Sequence, residues 1–273
     1  MSTETASGPL GEVRAASTAG TGTALTTSAV RVPLWPGTKT VQVIPRNFAG
    51  AAAVQWLPCP YLTILKSTNL LTSQAALTNY SREAQDNDTA TSVVLSSLDT
   101  LANGDALYVG SHVPFSGVDI DVDAANGTAN ALTVAYWKSD LTWADISATD
   151  NTDTGASLAV DGTVTWTVPS DWITAALEDT QTGANLTGLG VLSHPMYWTR
   201  WVWSVALDAS TTLDSMLAIP RSTVYADIPS GMMEEFAVKV GAGGASALQF
   251  RTDAGTASVV VNCQSRTTDG RIS

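Results

Sequence analysis

Three aspartates on alternate positions, Asp119, Asp121 and Asp123 in VDIDVDAANG, are the densest group of chemically capable side chains in the sequence. With Asn126 in the turn that follows, they direct hard oxygen ligands toward the end of one strand, a donor set that suits calcium. The spacing departs from a calcium-binding loop of the EF-hand type. Alanine stands where that loop needs its glycine, and no glutamate closes it. Val118, Ile120 and Val122 fill the intervening positions, so the stretch also reads as an ordinary strand with one apolar and one solvated face.

Other chemistry is thinner. The two histidines, His112 in GSHVPF and His194 in LSHPMYW, sit in proline-containing loops. Ser111 and Ser193 precede them, but no GxSxG elbow supports a nucleophile. No CxxC, HxH or HExxH spacing offers a zinc site. Glu234 and Glu235 are adjacent, so on a strand they point to opposite faces and cannot act as a hydrolytic pair. The expectation is a non-enzyme with no cofactor.

A second group is aromatic. Seven of the nine tryptophans lie between Trp137 and Trp203. In ALTVAYWKSDLTW, Leu132, Val134 and Tyr136 share a face and leave Trp137 on the other. Trp166, Trp201 and Trp203 take inward positions by the same alternation, whereas Trp137, Trp143, Trp172 and Trp198 fall at strand ends or on the opposite face. Inward tryptophans are core. The outer four are candidates for a glycan-binding platform.

The elements that must position these residues read as strands. Charged residues are 14% of the chain against a usual value of about 25%, while hydrophobic residues are 44%. Thr, Ser, Ala and Gly fill the difference, a composition that favours strands and tight turns. SAVRVPL, TKTVQVIP, DALYVG, GVDIDVD, GTVTWTV, YWTRWVWSVAL, EEFAVKVG, SALQFRTD and TASVVVNC alternate between turn signals. Pro58 and Pro60 around Cys59 rule out a helix or a central strand there. Residues 67–88 read as a loop with one helical turn. Too few strands stand at either end to make a sheet alone. The expected architecture is all-β: two sandwich or jelly-roll-like domains, residues 23–66 with 220–273 forming one and the Trp-rich residues 67–219 inserted in it. Residues 1–22, polar and rich in Gly, Ser and Thr, read as a flexible arm.

A net charge of −12 without a basic cluster opposes nucleic-acid or anionic-membrane binding. The start MSTETASGPLGEVRAAS lacks the pattern of a secretion signal, so a cytosolic product is expected. Cys59 and Cys263 are then expected as buried free thiols, and the sequons at Asn79, Asn87, Asn126 and Asn185 carry no weight.

The succession GDALYVGSHVPFSGVDIDV, LTVAYWKSDLTWADISATDNT, DGTVTWTVPSDW and YWTRWVWSVAL resembles a β-sandwich module of tailed-bacteriophage virion proteins, across about 104–207. The resemblance implies a head decoration or cement protein on the capsid surface that bridges subunits of the major capsid protein. It also implies a homotrimer, because accessory proteins commonly occupy three-fold positions of icosahedral shells. On that reading the arm grips a neighbour or the shell beneath, and its removal leaves the domains folded but weakens attachment. The alternative is a glycan-binding module, free or on a phage surface.

Overall fold

The computed structural model describes residues 6–8, 11–15, 22–186 and 194–265. Regular structure among them is β-strand with short 3-10 turns, so the protein is all-β. The chain divides into two compact units, Met1–Tyr61 with Ser222–Ser273 and Leu62–Arg221.

The first unit holds β1 (Ala6–Gly8), β2 (Gly11–Ala15), β3 (Thr23–Leu25), β4 (Val30–Pro33), β5 (Thr40–Ala49) and β6 (Ala53–Pro60). From the far end of the chain it takes β19 (Ala226–Pro229), β20 (Glu234–Ala237), β21 (Ala245–Thr252) and β22 (Thr256–Ser265). One sheet runs β1-β2-β22-β5-β20, with β3 also on β22; the other runs β19-β6-β21-β4. Alternation decides the faces. Val41 and Val43 of β5 and Val259 and Val261 of β22 are fully buried, and share one core with Val54, Leu248 and Phe250 of the second sheet. Cys59 and Cys263 are both buried in this unit and form no disulfide with each other.

Two expectations change here. Strand β6 is central in its sheet, flanked by β19 and β21, although it ends in Pro58 and Pro60. The reason is local. β19 covers only Ala53–Trp56, while β21 pairs along the strand as far as Pro60. The prolines therefore fall where one edge has no partner strand among the described residues, and a missing N–H costs little there. Pro45 of β5 follows the same rule, beyond Thr40–Val43 where β20 pairs. Secondly, part of the stretch expected as an arm is strand. β2 pairs with β22 from Glu12↔Ser265 to Ala15↔Asn262, and β1 folds back on β2. The rest of residues 1–21, with Ser193, lies outside the described residues.

The second unit contains β7 (Thr63–Ser67), β8 (Leu77–Asn79), β9 (Val93–Val94), β10 (Ala106–Ser111), β11 (Phe115–Ala124) and β12 (Leu132–Trp137). It continues with β13 (Trp143–Asp145), β14 (Thr149–Asp150), β15 (Gly162–Thr165), β16 (Thr174–Ala175), β17 (Met196–Trp203) and β18 (Thr212–Pro220). The sheets are β13-β12-β17-β10-β7-β8, with β16 on β17, and β14-β15-β11-β18-β9. Their facing sides close a core that includes Val109, Val134, Trp201 and Trp203 from the first and Phe115, Val118, Val164 and Met216 from the second. The predicted loop 67–88 carries the 3-10 turns Gln74–Ala76 and Glu83–Gln85 and the short β8.

The outer face of the β12–β17–β10 sheet is also covered. Ala106, Tyr108, Met196 and Trp198 project to that side and meet Leu71, Leu177 and Leu186 in a second, smaller core. All six residues of β10 are consequently buried.

Candidate functional site

The aspartates of β11 do not gather a metal site. Among the described residues no group of three or more His, Cys, Asp or Glu side chains is placed to hold an ion. Asp123 accepts from the Thr212 hydroxyl at 2.8 Å. Asn126 is spent on its own loop: its amide donates to the carbonyls of Thr128 (3.0 Å) and Ser157 (2.9 Å), and its oxygen accepts from the Asp208 N–H. What Asp121 does face is other carboxylates. Partial desolvation, then the charges of Asp161, Asp214 and Asp119, hold its carboxyl above the usual range. Asp214 is raised as well, by desolvation and then Asp123 and Asp161. The side is acidic and self-repelling.

His112 and His194 are both exposed, and the Ser111 hydroxyl is buried, accepting from the Val113 N–H. Val205, two residues after the inward Trp203, lies past the end of β17 and is exposed.

The four outer tryptophans separate into two pairs. Trp172 and Trp198 are interior. Trp198 is fully buried, its indole N–H donating to the Ala175 carbonyl at 2.9 Å. Its ring lies against Gly110, where a Cβ would stand 2.4 Å from the indole. Trp172 donates to the Trp198 carbonyl and packs among Phe115, Tyr136 and Tyr197. Neither presents a ring to solvent: Trp198 lies in the smaller core on the outer face of the sheet, and Trp172 lies in the core between the two sheets. This removes both from a surface platform.

Trp137 and Trp143 stay together. They are directly opposite on β12 and β13, with ring centroids 5.4 Å apart and planes at 65°. The turn between the two strands, and the end of the 3-10 turn Leu177–Thr180 with the two residues after it, flank an open cleft of about 310 Å³, lined by Trp137, 141–143 and 179–182. Trp143 is held in place by its indole N–H, which donates to the Thr180 carbonyl at 3.0 Å.

Three features missed in the sequence lie at this cleft or against Trp143: Leu141 is in the lining, and Arg200 and Tyr108 pack on Trp143 outside it. Leu141 has φ 62° in the turn, and its side chain is 66% exposed. The Arg200 guanidinium lies 4.7 Å from the Trp143 ring, and the Tyr108 ring is 6.1 Å from it. Burial pulls the Arg200 guanidinium down and pushes the Tyr108 hydroxyl up to about 12. Among the described residues, the Trp137 indole N–H, the Tyr108 hydroxyl and the Arg200 Nε are buried without a hydrogen-bond partner. The legible signal was Arg200 itself, a charge within an otherwise aromatic strand.

No family model and no curated protein matches the chain.

Proposed function

We propose that the protein is a structural component of a tailed-phage virion, a head decoration or cement protein that bridges subunits of the shell and acts as a homotrimer. One observation carries this reading. Val224, Met232 and Met233, which flank β19 in the first unit, are 79%, 62% and 63% exposed. Val41, Val43, Leu248 and Val259 of the same unit are fully buried. Exposed methionines are adaptable apolar contacts, and a subunit that meets neighbours places such groups at its surface. Low charge density suits close intersubunit contacts, which are depleted of charge at their centres. The resemblance of 104–207 supplies the particle.

The test is attachment. Purified protein should sediment as a trimer and raise the melting temperature of heads assembled from the shell protein. A Met232→Ser, Met233→Ser double variant should stay folded and lose most of that effect. A monomer that leaves head stability unchanged would reject the assignment.

A further inference from the structure

We infer that the cleft beside Trp137 and Trp143 is a binding site for a neutral, hexose-type glycan, independent of whether the chain decorates a head. The volume of about 310 Å³ lies at the small end of ligand-binding sites. Its lining combines the half-buried Trp143 indole with Thr142, Asp179, Gln181 and Thr182. A pyranose has an apolar C–H face and a rim of hydroxyls that both donate and accept. An indole suits the face; a carboxylate, an amide and threonine hydroxyls suit the rim.

Leu141 argues that the cleft is built for a ligand. A non-glycine residue at φ 62° is strained, and asparagine or glycine would adopt that conformation more cheaply. Leu70, Leu71 and Leu158 adopt the same conformation, but Leu71 and Leu158 are buried at 0% and 1% exposure and Leu70 is half-buried. Leu141 has no such return, since its side chain stands in water. Strain without compensation in the free protein points to a contact made only in the complex.

An unpartnered polar group stands at the same place. Interiors rarely leave buried donors unmatched, yet among the described residues the Trp137 indole N–H has no partner, and behind Trp143, outside the lining, neither do the Tyr108 hydroxyl and the Arg200 Nε. Trp137 is 6% exposed and is itself part of the lining. Asp179 in the lining and the net charge of −12 disfavour phosphorylated, sulfated or sialylated ligands.

The experiment is an array of defined oligosaccharides, with neutral hexose, sialylated and sulfated members, probed with the intact chain. Selective retention of neutral members is expected. The best member is then titrated by tryptophan fluorescence. Trp143→Ala should weaken binding about ten-fold or more, which corresponds to about 1.4 kcal/mol. Leu141→Asn should weaken binding several-fold while raising the melting temperature, a combination that a purely structural leucine would not give. Asp179→Ala, a change at an exposed position, keeps the test decisive if Trp143→Ala does not fold. Retention of no glycan, retention of acidic members only, or a glycan whose affinity survives both Leu141→Asn and Asp179→Ala would overturn the inference.

Discussion

At Gly110 the requirement is room rather than backbone freedom. Its partner across the ladder is Trp198, whose ring occupies the space that any Cβ would need. Gly110→Ala should therefore cost about 1–3 kcal/mol, the usual penalty for overfilling a packed interior. Urea unfolding with an unchanged slope and a lower midpoint would show it; an unchanged midpoint would mean that the ring moves aside freely. Asp161 poses the opposite case. Its Oδ1 accepts from the Val122 N–H at 2.9 Å, a role that an asparagine carbonyl can keep. Its charge, however, helps to hold the Asp121 and Asp214 carboxyls above their ordinary range. Groups raised in the folded state favour folding when protonated, and that contribution is lost as pH rises through the raised values. Asp161→Asn should consequently raise the melting temperature near neutral pH. The gain should shrink as pH falls to the ordinary carboxylate range of about 4 and below. A gain independent of pH would rule out the electrostatic explanation.

Strands read from alternation are mostly where the spacing places them. Val41 and Val43, Val164 and Trp166, and Trp201 and Trp203 are all buried, since a period of two with one buried face survives any tertiary arrangement. The misreadings arise where the partner of an element decides. Pro58 and Pro60 looked incompatible with a central strand, but β19 is too short to reach them, and strand length in a neighbour 170 residues away leaves no local mark. Trp198 was assigned outward correctly by phase and wrongly by environment. Nothing within YWTRWVW says that Leu71, Leu177 and Leu186 fold over that face. The candidate cleft was half legible for the same reason: Trp137 and Trp143 stood out by type, whereas 179–182 join them only through the fold. The pairing of β2 has its own consequence. Along β22, β3 covers Ala257–Val259 and β2 covers Asn262–Ser265. Deleting residues 1–21 should leave the core of the first unit intact, because its members among the described residues begin at Leu25. The deletion bares the backbone of β22 over Asn262–Ser265, and exposed strand edges associate. The truncated protein should keep its far-UV circular dichroism and form larger species at high concentration by light scattering. Loss of the β spectrum would show instead that the first two strands are integral to the unit.

Each unit closes its own apolar core, and the two kinds of intrinsic reporter are divided between them. Both cysteines are in the first unit, at 0% and 2% exposure, and neither is bonded to the other. Seven of the nine tryptophans are in the second. A reagent that colours on meeting a thiol is therefore silent on the native protein and develops only as the first unit opens. Indole emission meanwhile is dominated by the second. Across a denaturant series the two signals should give separate midpoints, as expected for units that melt independently; superimposed curves would mean a single cooperative transition. The placement of two inconspicuous thiols thus makes the chain its own two-channel stability gauge, with no label or added probe residue needed to say which half has let go.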